Sequence, residues 1–427
     1  MVVVDFIINQ ILREAPIFLG LIALFGLLLQ RKGFSDIVSG TMKTIVGVVI
    51  LGIGVDILIG SILPLIGAFS VINDIPEAEA MVTMGADGLI ATYGANIGLS
   101  MLFAFIINLI VARFTPLKNI FLTGHMLFWF PFIFVAVAVE SGLTGMAITI
   151  FATIFTSIYI IVFPALIKPF VRKVTGNDSF TLGHPTIGLS LIAGWVGKLV
   201  GNKEKSTEDI KFPKQMEFLR EITITSSLVV FVVFLVVSFM VGIGSAGEVF
   251  GTETNFVMYS LLQGLTFGAG LTVLLLGVRM MLAEIIPAFK GIADKLIPNA
   301  VPALDCPIIF PFAPNAVLIG FIVSMITSTA TIILFGAFSL VPFILLPLTI
   351  TCFFEIGTAS VIANGTGGLR GSIIGSAVAG VVMVVFVAIS IPFLSTTVAD
   401  WILIFGGNDF SLWAVISGLI GNIFGGG

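Results

Sequence analysis

The stretch Ile222–Ile243 reads ITITSSLVVFVVFLVVSFMVGI and carries no charged residue. Wound as a helix it is roughly 33 Å long, enough to cross about 30 Å of hydrocarbon. Comparable apolar runs recur at Ala15–Gln30, Gly94–Ala112, Ala316–Phe338 and Ser372–Phe393. They are continuous rather than alternating, which excludes a transmembrane β-barrel. The chain reads as an all-α polytopic membrane protein, with roughly ten or eleven spanning or half-spanning helices and re-entrant half-helices. Composition agrees. Charged residues make up 10% and apolar ones 58%, against about 25% charged in soluble domains.

The regions outside these runs exclude other classes. The longest polar stretch lies between Gly201 and Glu221, so no soluble domain is expected. Met1-Val2-Val3-Val4-Asp5 lacks the basic leader of a cleavable signal, so the first helix is expected to be retained. Cys306 and Cys352 form neither a CxxC nor a metal-type spacing. No G-x-x-x-x-G-K-[ST] string is present, so ATP is not the energy source within this chain. The net charge of −4 says little about partners in a chain of this kind, and no nucleic-acid partner is expected. Nine of the 19 Lys and Arg residues fall between Lys168 and Arg220. Such an excess marks the cytoplasmic side, making about 198–221 a cytoplasmic linker. That linker reads equally as a solvated connector or a docking surface.

Two parts of the chain echo each other. LGIGVDILIGSILPLIGAF at Leu51–Phe69 resembles LLLGVRMMLAEIIPAF at Leu274–Phe289, with Gly54 on Gly277, Asp56 on Arg279 and Pro64 on Pro287. A looser match sets Asp87 and Asn96 against Asp305 and Asn315. The echo predicts two pseudo-symmetric, inverted repeats, at about 40–140 and about 262–368, followed by C-terminal helices over about 371–424. Discontinuous segments would meet near the membrane midplane, where such architectures place substrate. Asp56 and Arg279 would either pair across the pseudo-symmetry axis or face water.

The run Pro298–Pro307 cannot be one regular helix, because its prolines remove donors and clash with the preceding turn. Asp305 inside it is the strongest site candidate. It reads as a ligand contact, as an N-cap of the following half-helix, or as both. Asp87 reads as an exposed loop residue. Glu355 reads equally as a polar contact or as a group at a re-entrant turn. The chain has 2 histidines, His125 and His184, and each directly follows a glycine at a break between apolar stretches. Each alone reads equally as an interfacial capping group at a helix entry or as a ligand contact, and with Asp305 they read as opposing re-entrant tips around one pocket. Imidazole and carboxylate beside Thr123 and Asn315 suit a polyhydroxylated ligand. A metal ion or cofactor would want closer spacing of His, Cys or carboxylate, and none is expected. No nucleophile–base pair stands out, so no catalytic residue is expected. An ion-coupled secondary transporter of a small polar solute, titrating Asp305 and Glu355, is the alternative reading.

Several strings resemble the ascorbate-type membrane subunit (EIIC) of the bacterial phosphoenolpyruvate-dependent phosphotransferase system. They are IFLTGHMLF (Ile120–Phe128), SFTLGHP (Ser179–Pro185), STEDIKFP (Ser206–Pro213), the long block Gly277–Pro307, and FAPNAVLIGF (Phe312–Phe321). The resemblance implies a homodimeric sugar permease in the bacterial inner membrane, moving substrate inward by an elevator-like motion. Phosphorylation would fall to a separate cytosolic EIIB fed by EIIA. It also implies that His125, His184 and Asp305 contact substrate. The family pattern carries glutamines where this chain has Trp129 and Pro185. Losing two amides implies a changed hydroxyl preference: ascorbate, or a related sugar, sugar acid or pentitol. Trp129 then either stacks on the ligand or packs between helices.

Overall fold

The computed structural model describes residues 14–72, 83–210, 215, 218, 221–343, 345 and 347–425. The N-terminal leader reading falls on residues 1–13. These, like Lys211, Lys214 and Arg220 of the linker, lie outside the described residues.

The first half runs α1 (Ala15–Leu29), α2 (Phe34–Ile72), α3 (Gly85–Phe114), β1 (Asn119–Phe121), α4 (Gly124–Glu140), α5 (Met146–Thr175), β2 (Thr181–Leu182) and α6 (Ile187–Val200). After the linker come α7 (Ile222–Val241), α8 (Phe256–Lys295), β3 (Val301–Leu304) and α9 (Pro314–Ala337). The chain closes with α10 (Gly357–Ser390), α11 (Ala399–Phe405) and α12 (Asp409–Gly425). Among the described residues 7 helices are long and apolar enough to cross a membrane. Shorter apolar helices lie at Leu19–Leu29, Gly124–Glu140, Ile187–Val200 and Asp409–Gly425. The protein is a multi-pass membrane protein. On α7 the faces of Val232, Val236, Phe239 and Met240 stay exposed, as lipid contact requires.

The all-α expectation needs a correction. β1, β3 and β2 form a three-stranded parallel sheet with β3 in the middle. All its residues are buried. Buried backbone donors and acceptors must be paired, and here the three breaks in the helical pattern pair with each other. The proline-rich run around Asp305 is indeed no helix. It is β3 followed by a 3₁₀ segment, Cys306–Phe312.

The helices form two groups, and the sheet packs chiefly on α5 and α3. In one, α2 packs along α8, with α1 and α7 against them. In the other, α10 packs against α6 and α9, and α4 and α5 complete the core. Helix α4 is buried over most of its length, with Phe130, Phe132 and Phe134 fully enclosed. An apolar helix with no polar face belongs inside a bundle.

The α2–α8 contact depends on missing side chains. A Cβ on Gly54 would lie 2.3 Å from the backbone nitrogen of Leu274, and one on Gly277 would lie 2.3 Å from that of Leu51. Likewise Gly47 abuts the Met281 nitrogen and Gly270 abuts that of Leu58. Pro64 and Pro287 sit inside the two helices. Asp56 and Arg279 are both exposed on these helices, and the described ion pairs do not join them.

The linker is seated on the second group. Ser206 caps the 3₁₀ turn Thr207–Asp209 in a reciprocal capping box. Thr207 N donates to Asn364 Oδ1 at 3.0 Å, and Glu208 Oε1 accepts from Ala316 N at the start of α9. Backbone bonds from Asn202 N to Gly367 O and from Leu369 N to Lys205 O tie it to a kink in α10. At that kink Gly368 has φ 61° and ψ −158°, a conformation open essentially only to glycine. An added Cβ would lie 2.2 Å from the carbonyl oxygens of Asn202 and Lys205. Gly368→Ala is therefore expected to cost at least about 1–3 kcal/mol from strain alone. A lowered unfolding temperature in detergent and faster proteolysis within 201–210 would check this. An unchanged midpoint would refute it.

Candidate functional site

Parallel strands place whatever follows them at one end of a sheet. The pairings Phe121↔Ala303 and Leu182↔Leu304 bring the three strand ends level. Two further bonds extend the ladder: Leu122 N to Ala303 O at 2.9 Å and Gly183 N to Leu304 O at 2.7 Å. Beyond β1 the chain reads Thr123-Gly124-His125, beyond β2 Gly183-His184, and beyond β3 Asp305. The two histidines thus stand side by side across the central strand. The expectation of opposing tips is corrected by this parallel register.

Asp305 lies between them. His125 Nε2 is 3.5 Å from Asp305 Oδ2, and His184 Nε2 is 3.6 Å from Asp305 Oδ1. One ligand-type atom from each of the three lies within 4.8 Å of the others. Good N–H···O bonds run at about 2.7–3.2 Å. The imidazoles therefore leave acceptor capacity on the carboxylate for a third party. Asp305 also caps the 3₁₀ segment, its Oδ1 accepting from Cys306 N at 2.7 Å, so the two roles read for it coexist. His184 and Asp305 are buried, whereas the His125 side chain keeps 34% of its exposure. The cluster is reached from the His125 side.

Further polar atoms are buried without a hydrogen-bond partner: Thr123 Oγ1, His184 Nδ1 and Glu355 Oε2. Such groups carry a desolvation cost of about 1–3 kcal/mol each until something bonds them. Glu355 occupies a π-helical turn, Cys352–Ile356, just before α10. Its Oε1 accepts from Asn408 Nδ2 at 2.9 Å, and its backbone carbonyl accepts from Thr186 Oγ1 at 2.7 Å. The turn carrying Glu355 is thereby fastened to the turn carrying His184.

Other residues singled out in the sequence fall elsewhere. Asn315 Nδ2 donates to Thr207 O at 3.2 Å, holding the linker against α9. Trp129 lies one turn beyond His125 on α4 and packs on Trp401, Phe128 and Phe132, with ring centroids 5.0–5.2 Å apart. Asp87 falls in the first turn of α3 rather than in a loop, because the helix already begins at Gly85. Its side chain lies outside the described residues. Tyr159, Asn408 and Asp409 were not anticipated. All three are buried beside the His184 turn, and the tyrosine hydroxyl lies 2.9 Å from the carbonyl of His184. The string Gly406-Gly407-Asn408-Asp409 before an apolar run is a helix-start signal that marks the last two.

Two imidazoles and a carboxylate are also a donor set that can hold a divalent cation. A metal-ligating histidine usually donates its other ring nitrogen to a carboxylate or carbonyl. His184 Nδ1 has no such partner. The cluster suits ligand hydroxyls better.

A cluster of two imidazoles and a carboxylate inside a bundle of membrane-length helices suits a membrane permease for a small polar solute. The particular family is given by the chain's match, over residues 10–409, to the family described as EIIC-GAT, PTS system sugar-specific permease component. The protein belongs to that family. It is also similar to the ascorbate-specific PTS system EIIC component of Mycoplasma pneumoniae. Identity is 25% over 475 aligned positions, which cover 97% of this chain and 70% of that relative.

Proposed function

We propose that this permease binds ascorbate or a related sugar, sugar acid or pentitol between His125, His184 and Asp305, and delivers it inward for phosphorylation by a separate EIIB. The observation that carries this reading is the convergence of those three side chains within 4.8 Å at the strand ends. Thr123 and Glu355, each with a buried unpartnered oxygen, complete the polar lining. The similarity to an ascorbate-specific EIIC supports the substrate class. Trp129 and Pro185, where the ascorbate pattern carries amides, favour a relative of ascorbate with fewer acceptors to satisfy.

The translocating step is an elevator-like shift of the group carrying the sheet. Inverted repeats supply the two supports. The reciprocal glycine contacts of α2 and α8, in which Gly54 meets Leu274 and Gly277 meets Leu51, are what a local two-fold axis produces. In the bacterial inner membrane the protein acts as a homodimer, with the linker on the cytoplasmic side beside EIIB and EIIA. No catalytic residue of its own is needed, because the phosphoryl group arrives on the partner.

Equilibrium binding to the purified protein tests the substrate class, with ascorbate set against pentitols, hexitols and sugar acids. One member is expected to bind saturably, and His184→Ala is expected to lose about tenfold or more in affinity for it. Equal affinity in His184→Ala, with folding intact, would remove the proposed site.

A further inference from the structure

The start of α12 reaches into the site from behind. Asp409 is fully buried, Asn408 is 1% exposed and Tyr159 is fully buried. The Asp409 carboxylate accepts from Gly188 N at 2.9 and 3.0 Å and from the Tyr159 hydroxyl at 2.6 Å. Its own backbone nitrogen donates to Pro185 O at 2.9 Å. A Cβ on Gly188 would lie 2.1 Å from Asp409 Oδ1, so only glycine admits the carboxylate there. One residue earlier, Asn408 Nδ2 donates to Glu355 Oε1 at 2.9 Å. Adjacent residues at one helix start thus hold the His184 turn on one side and Glu355 on the other.

The arrangement exceeds what helix capping needs. Thr186 occupies the N-cap of α6, yet its side chain makes no capping bond. Its hydroxyl is committed to the Glu355 carbonyl. The cap is supplied instead by Asp409, 221 residues away from Gly188 in sequence. Burying a carboxylate so completely is costly unless its bonds are well made. Here the bonds fall on the backbone next to His184, and the hydroxyl bound to Asp409 also lies against the His184 carbonyl.

We propose that Asn408 and Asp409 are positioning residues of the ligand site, fixing the His184 turn and Glu355 in one register and so setting which arrangement of ligand hydroxyls is accepted. The proposal rests on the reading of His125, His184 and Asp305 as the ligand site. Neither residue touches the ligand; each acts through the group it holds. Loss of the bracket would therefore change discrimination between ligands as well as affinity.

The test uses full-length protein in detergent, with ascorbate and xylitol as probes and unfolding temperature recorded beside each affinity. Asp409→Ala is expected to weaken the better probe by about tenfold and to change the ratio of the two affinities severalfold. Asp409→Asn, whose amide oxygen can still accept from Gly188 N, is expected to restore most of the ratio. If Asp409→Ala does not fold, Tyr159→Phe serves, because it keeps the ring stacked on Phe130 and removes one bond of the bracket. A smaller ratio change in the same direction is then expected. Equal loss for both probes, or no change in either variant while His184→Ala loses binding, would overturn this proposal and leave the site reading intact. Unchanged binding in His184→Ala and Asp305→Ala would overturn the site reading, and this proposal with it.

Discussion

Asp305→Ala is expected to weaken ligand binding by a hundredfold or more, from about two charge-assisted hydrogen bonds of about 1.5–3 kcal/mol each. The carboxylate lies between both imidazoles, 3.5 and 3.6 Å from them. Removing it takes away the carboxylate facing Nε2 of His184, whose Nδ1 already lacks a partner. The cap on Cys306 N is lost as well. Asp305→Asn separates these effects, since an amide oxygen still caps while the charge is gone. Calorimetric binding on both variants, with unfolding temperature recorded, is the check. Asp305→Asn should keep most of the stability and little of the affinity. Undiminished affinity in Asp305→Ala would mean that the ligand binds elsewhere.

The second large effect concerns the α2–α8 contact. Gly277→Leu and Gly54→Leu should each prevent the two helices from closing. A glycine-to-leucine change gains about 1 kcal/mol of helix propensity. Overpacking costs about 1–3 kcal/mol where neighbours can yield, and more where they cannot. Here the atoms met at 2.3 Å are backbone nitrogens of Leu51 and Leu274, so the packing cost prevails. Both variants should lose monodisperse protein in detergent, and by similar amounts because the contacts are reciprocal. A Gly277→Leu protein with an unchanged unfolding temperature would contradict the helix register. A large effect at one glycine only would count against the inverted repeat.

The helices were legible because hydrophobic runs of membrane length have few other uses. Ile222–Ile243 became α7 and Ala316–Phe338 became α9 with ends shifted by a residue or two. Ser372–Phe393 was only the later part of α10, since its earlier turns carry the small and polar residues Asn364-Gly365-Thr366-Gly367. The strands were not legible. β1, β2 and β3 hold 3, 2 and 4 residues, too few for alternation to register. What did repeat was Leu122-Thr123-Gly124-His125 against Leu182-Gly183-His184, and that pair marks two strand ends.

His125, His184 and Asp305 stood out because polar groups are rare in such a chain. Their juxtaposition did not, because it depends on parallel pairing between segments far apart in sequence. Tyr159 and Asp409 were hidden for a different reason. A tyrosine in an apolar helix and an aspartate at a helix start are both ordinary, and only the fold brings them together 250 residues apart.

The coupled reading is tested most directly by uptake into membrane vesicles supplied with phosphoenolpyruvate and the soluble phosphotransfer proteins. Accumulation should require phosphoenolpyruvate and yield a phosphorylated product inside, with both lost in Asp305→Ala. Accumulation of unmodified substrate that collapses with an uncoupler would contradict it and point to an ion-coupled transporter built around the same cluster.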